Sequence, residues 1–97
     1  MTPQPTLRIA GIRGVSTRFK RLRRKLSPEA DSQLRQVLNE LMTGTLTPGR
    51  NLEKLPNLGS LYSVRLNKTA RLVFELKKDH MIFVVAVGSH DAAYRPS

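Results

Sequence analysis

Apolar and polar positions change period several times along this chain. Over 6–12, TLRIAGI, Leu7 and Ile9 alternate with Arg8 and Ala10, which predicts a short strand at a sheet edge. From 15 to 26 the period lengthens. Val15, Phe19, Leu22 and Leu26 recur at spacings of four, three and four, one stripe down a helix. A second helix is signalled at both ends. Ser27 suits the N-cap, Pro28 the first helical position, and Glu29 and Asp31 the positive end of the helix dipole. Leu34, Val37, Leu38, Leu41 and Met42 continue an apolar face, and Gly44 is placed for a left-handed cap. With a two-residue joint, the pair reads as a helical hairpin.

Residues 45–60 are rich in turn formers, with Leu52 and Leu55 reaching back to the core. Three strands follow, at 61–66, 70–76 and 81–87. The last, MIFVVAV, is apolar at every position, the pattern of a strand covered on both sides. The order β-α-α-β-β-β predicts an α+β fold, a helical hairpin packed on a small antiparallel sheet. Its 97 residues make one domain, 1–97, with 1–5 (MTPQP) a flexible tail.

The hairpin YSVRLNKTARLVF fixes a register by parity. Tyr62, Val64 and Leu66 share one face of their strand, and Leu72, Phe74 and Leu76 share one face of the next. A two-residue turn would set Leu66 opposite Arg71 and mix the faces. A three-residue turn, Asn67-Lys68-Thr69, sets Val64 opposite Leu72 and Tyr62 opposite Phe74, and places Arg65 directly opposite Arg71. Opposed like charges destabilise a sheet by about 0.2–1 kcal/mol. A phosphate between them reverses the sign, because guanidinium forks bind its oxygens bidentately.

Composition points the same way. Lysine and arginine total 17 against 7 acidic residues, a formal charge of +10. So large an excess on so small a body suits a polyanionic partner. Arg18, Lys20, Arg21, Arg23, Arg24 and Lys25 crowd the first helix, with no acidic residue three or four places away within it. There is no cysteine and only two histidines, which excludes disulfides and thiolate zinc sites and leaves no metal or cofactor expected. No apolar run nears the roughly 20 residues that span a bilayer, and MTPQPTLRIAGIRG is unlike a secretory signal, so the expected compartment is the cytoplasm, with no membrane partner. After the last strand, Gly88 lets the chain turn into SHDAAYR. There His90 is a group that exchanges protons near neutrality, Tyr94 can stack on a base, and Asp91 can orient the His90 ring or cap a turn.

The stretch LEKL…LYSVRLNKTARLVFEL…FVVAVGSHDAAYR, over 52–95, resembles the RelE/ParE superfamily of bacterial type II toxins, and the preceding helical hairpin fits the same order. On the RelE side the resemblance implies a ribosome-dependent mRNA endonuclease. It needs no metal: the substrate's own 2′-OH attacks the adjacent phosphate, leaving a cyclic phosphate and a free 5′-OH. By resemblance the catalytic group comprises Arg65, Arg71, His90 and Tyr94, either of the last two serving as acid or base. Lys54 and Lys68, with Arg18, Arg21, Arg24 and Lys25 on the basic helix, would contact mRNA or ribosomal RNA. Ser63 departs from the pattern, standing where RelE-type sequences carry a lysine. The resemblance also implies a cognate antitoxin, a small acidic protein, for which the basic helix and the first strand's edge are suitable. Two other readings share the fold: a ParE-like inhibitor of DNA gyrase without nuclease chemistry, and a non-toxic RNA-binding module.

Overall fold

The computed structural model describes residues 7–56 and 59–89. Its elements are β1 (Gly11–Val15), α1 (Thr17–Arg23), α2 (Pro28–Thr43), β2 (Glu53–Lys54), β3 (Leu61–Arg65), β4 (Ala70–Leu76), a 3-10 turn (Lys78–His80) and β5 (Met81–Ser89). The strands form one sheet in the order β1-β5-β4-β3-β2. The pairs β2–β3, β3–β4 and β4–β5 are antiparallel, whereas β1 runs parallel to β5. The sheet is therefore mixed, and a two-residue strand that the sequence pattern does not signal closes the far edge.

The α+β architecture and the order of the main elements agree with the sequence. Small differences fall at the ends of β3, which stops at Arg65 rather than 66, and β5, which runs on to Ser89 rather than 87; two elements differ more. The first strand is not 6–12 but Gly11–Val15. Residues before it are held individually: Ile9 donates its N–H to the Leu41 carbonyl near the end of α2, and Ala10 donates to the His80 carbonyl. The alternation of Leu7 and Ile9 thus reflects docking under α2. The first helix spans Thr17–Arg23 rather than 15–26, because Ser16 caps it by accepting from Phe19 N (2.9 Å). Val15 ends the strand and Leu26 follows the helix, yet both still pack on the core. A stripe at helical spacing can be assembled from three kinds of backbone.

Helix α2 matches its signals closely. Ser27 Oγ accepts from Ala30 N, Pro28 opens the helix, and Gly44 closes it at φ +79°. A Cβ on Gly44 would only touch the Arg8 side chain, so it is the left-handed backbone that favours glycine. Leu34, Val37 and Leu41 are fully buried, but Met42 leaves the apolar face and is 44% exposed. The two helices are tied by Arg23 Nε donating to Asp31 Oδ1 at 2.9 Å, which holds the Asp31 carboxyl below its usual range. The basic helix thus has an acidic partner after all, supplied by the next helix.

The main core joins Phe19, Leu34, Val37 and Leu41 to Val64, Leu72, Phe74, Ile82, Val84 and Val87. Tyr62 and Phe74, paired across β3 and β4, stack with ring centroids 5.7 Å apart. In β5, Val85 bulges between Val84, opposite Phe74, and Ala86, opposite Val73. Its carbonyl accepts from Ser16 Oγ. The bulge returns Val87 to the helix face and turns Ala86 to the other, where Ala86 and Val73 form a second small cluster with Leu22, Leu55, Leu61 and Val85. Each face of β5 therefore has its own cover, as its uniformly apolar sequence implies. Leu52 lies in the main core and Leu55 in this second cluster.

Candidate functional site

The hairpin adopts the register that parity requires. Val64 faces Leu72, Tyr62 faces Phe74, and Arg65 stands opposite Arg71. Asn67 makes the turn: its Oδ1 accepts from Thr69 N at 2.9 Å and Ala70 N at 2.8 Å, while Leu66 N donates to the Ala70 carbonyl. This side-chain-capped turn has three residues, and that odd number turns both arginines away from the main core.

Arg65 and Arg71 share their face with the row Glu53–Ser63–Val73–Ala86, and Gly88 of β5 pairs with Arg71 on its other side. Gly88, at φ +140°, brings no side chain into the row. Arg65 is exposed, but the Arg71 side chain is only 16% exposed. Its Nη1 is buried and has no hydrogen-bond partner among the described residues, and Glu53 Oε1 stands 3.9 Å away, beyond bonding distance. A buried guanidinium nitrogen without a hydrogen bond is costly, on the order of 1–3 kcal/mol, which the Glu53 carboxylate offsets only as a distant charge partner. Ser63, at the position where a lysine was noted as missing, is fully buried beneath this face. Glu53 is the residue that sequence reasoning passed over. Its signal was parity: once β2 pairs with β3, Glu53 aligns with Ser63 on the arginine face, whereas Lys54 aligns with Tyr62 and takes the opposite parity.

Helix α1 borders the same region. It runs beside β5, and Leu22 packs against the Val73–Ala86 cluster. Arg18, four residues earlier, shares Leu22's side of the helix and is half-buried; Arg21, Arg24 and Lys25 are exposed nearby in sequence. Lys68 is exposed at the hairpin tip. His90 and Tyr94, with Asp91, lie outside the described residues. Among the described residues no group of His, Asp and Glu side chains could hold a metal ion, and no helix is long and apolar enough to cross a membrane.

Behind the arginine pair lies a buried ion pair. Arg50 Nε donates to Glu40 Oε1 at 3.1 Å and Nη2 donates to Oε2 at 3.2 Å, the two side chains being 7% and 10% exposed. Thr47 N, Thr47 Oγ1 and Gln36 Nε2 also donate to the carboxylate, at 3.0, 2.7 and 2.8 Å. Burial alone would raise the Glu40 pKa; the donors, Arg50 foremost, outweigh it and bring the group down to about 2. On its far side Arg50 Nη1 donates to the carbonyls of Leu66 (2.9 Å) and Arg65 (3.4 Å), and Arg65 N donates to the Arg50 carbonyl at 2.6 Å.

No protein-family model matches the chain, and no curated protein matches it in sequence. Solved structures do match in shape. A metal-bound toxin from Helicobacter pylori superposes with a TM-score of 0.68 at 23% identity, covering 91% of this chain and 99% of that one. The Escherichia coli DinJ–YafQ complex gives 0.70 at 13% identity, covering 90% and 99%. The YoeB dimer of Staphylococcus aureus gives 0.65 at 23%, covering 88% and 98%. The class is thereby defined: the chain has the fold of RelE-like toxins, end to end on their scale.

Proposed function

We propose that this chain is the toxin of a type II toxin–antitoxin pair and acts as a metal-independent endonuclease on mRNA at the ribosome. The observation that carries the reading is the arginine pair: Arg65 and Arg71 are paired across β3 and β4 beyond the covered part of that face, Arg65 exposed and Arg71 with a buried nitrogen that has no hydrogen-bond partner among the described residues. In the proposed reaction the scissile phosphate lies over Arg65 and Arg71. The 2′-oxygen forms its bond to phosphorus, the bond to the 5′-oxygen breaks, and the negative charge that builds on the phosphoryl oxygens is held by the two guanidinium groups. One proton leaves the 2′-OH and one reaches the departing 5′-oxygen. His90 and Tyr94 are the exchangers that the resemblance nominates, and the Glu53 carboxylate beside Arg71 adds an acceptor on the same face. The basic residues of α1, with Lys68, would rest on the RNA backbone.

The cognate antitoxin has two surfaces to use. One is the basic stretch Arg18–Lys25. The other is β1, which has an open edge in the sheet order and carries Ile12, 40% exposed. The test is induction of the wild type, Arg71→Ala and His90→Ala in cells, with mapping of mRNA 5′ ends and an assay of plasmid supercoiling. Cleavage at new 5′ ends that both variants abolish supports the nuclease. Gyrase–DNA adducts with intact mRNA would replace it with gyrase inhibition, and the absence of growth arrest would leave only an RNA-binding module.

A further inference from the structure

The end of β3 that carries Arg65 lacks a strand on its outer side. β2 pairs only with Tyr62 and Ser63, so beyond them the outer backbone of β3 has no ladder. Arg50 takes that place. Its carbonyl accepts the Arg65 N–H, and its guanidinium reaches the carbonyls of Arg65 and Leu66. The other edge of the same planar group is clamped in two parallel bonds by Glu40 of α2. Glu40 is in turn fixed by Thr47 and Gln36. A buried pair of this kind adds little net stability over apolar packing of equal volume. What it adds is geometry, because a planar fork bonded through Nε, Nη1 and Nη2 to a carboxylate on one side and two strand carbonyls on the other restricts the orientation of the strand end. On its inner side the strand end is held by the pairing with β4 and by the Leu66 N–H to Ala70 carbonyl bond; on its outer side Arg50 holds it.

We propose that Arg50, oriented by Glu40, is a positioning residue for the arginine cradle: it braces the outer edge of the strand end whose register with β4 sets Arg65 opposite Arg71, and so trims the separation of the two guanidinium groups about a phosphate. The proposal rests on reading that face as an RNA site, and its test keeps the two apart. Arg50→Lys retains the charge beside Glu40 but has no fork to span carboxylate and carbonyls. In the full chain, the Nε–Hε NMR signals of Arg65 and Arg71 are expected to shift in this variant while far-UV circular dichroism stays native. Binding of a short single-stranded RNA is expected to lose about one phosphate contact, a decrease of about 0.7 in the slope of log K against log salt. A purely structural role would lower the folded fraction and leave that slope unchanged. If Arg50→Lys does not fold, Thr47→Val removes only one donor from Glu40 and is expected to move the same signals by a smaller amount. A folded variant whose Arg65 and Arg71 signals match the wild type overturns the proposal. A wild type with no affinity for RNA sinks the RNA reading instead, and the guanidinium signals still decide the positioning role.

Discussion

At the scale of single residues, Arg71 is placed for a ligand at some cost to the free protein. It opposes a like charge, and among the described residues its buried Nη1 has no hydrogen bond, only the Glu53 carboxylate 3.9 Å away. Arg71→Ala is therefore expected to change folding stability by less than about 1 kcal/mol, since relief of repulsion offsets lost packing. The same change should cost about 10²–10³-fold in cleavage, the scale for losing one donor to a developing oxyanion. Thermal unfolding and ribosomal cleavage of mRNA, measured on one preparation, check both halves. Gly44 shows the opposite balance: Gly44→Ala touches no proposed site, yet a non-glycine residue at φ +79° should destabilise by about 1 kcal/mol, read as a lower urea midpoint with cleavage per folded molecule unchanged.

Between elements, the pair Glu40–Arg50 joins α2 to the end of β3, and its dependence on pH has a definite sign. The Glu40 pKa is about 2 in the folded chain against an ordinary 4.5, so the unfolded state takes up the proton first as pH falls. The contribution is fully present above about pH 4.5 and is lost progressively as pH drops toward 2. Urea midpoints across that window should fall more steeply for the wild type than for Glu40→Gln, which has no proton to gain. At neutral pH, Arg50→Ala leaves a buried carboxylate without its charge partner and should cost about 3–5 kcal/mol.

For the molecule as a whole, a charge of +10 is a standing repulsion that no internal network removes. Moderate salt should raise the melting temperature of the free protein through screening, while weakening its hold on RNA along a straight line in log K against log salt. Calorimetry and equilibrium titration over one salt series test the pair of trends together; a melting temperature that falls with salt would mean the excess charge is already compensated within the fold.

Much of this was legible in the chain. Ser27, Pro28 and Gly44 marked α2 because caps are local chemistry, and the parity of Tyr62, Val64, Leu72 and Phe74 fixed the turn length and brought Arg65 opposite Arg71, because side chains alternate along a strand that carries no bulge, as in β3 between Leu61 and Arg65. What the chain by itself could not carry was every pairing between distant segments. The true β1 was hidden because a short parallel edge strand is selected by β5, some seventy residues on, and leaves only a weak local pattern in GIRGV. Glu53 came to the arginine face, and Arg23 to Asp31, through long-range register and helix docking. Arg50 read as one more basic residue in a turn-rich loop until folding buried it against Glu40. Local chemistry determined the elements and the parity of the site; only the tertiary structure decided which charges would meet, because burial and distance belong to the fold rather than to any one segment.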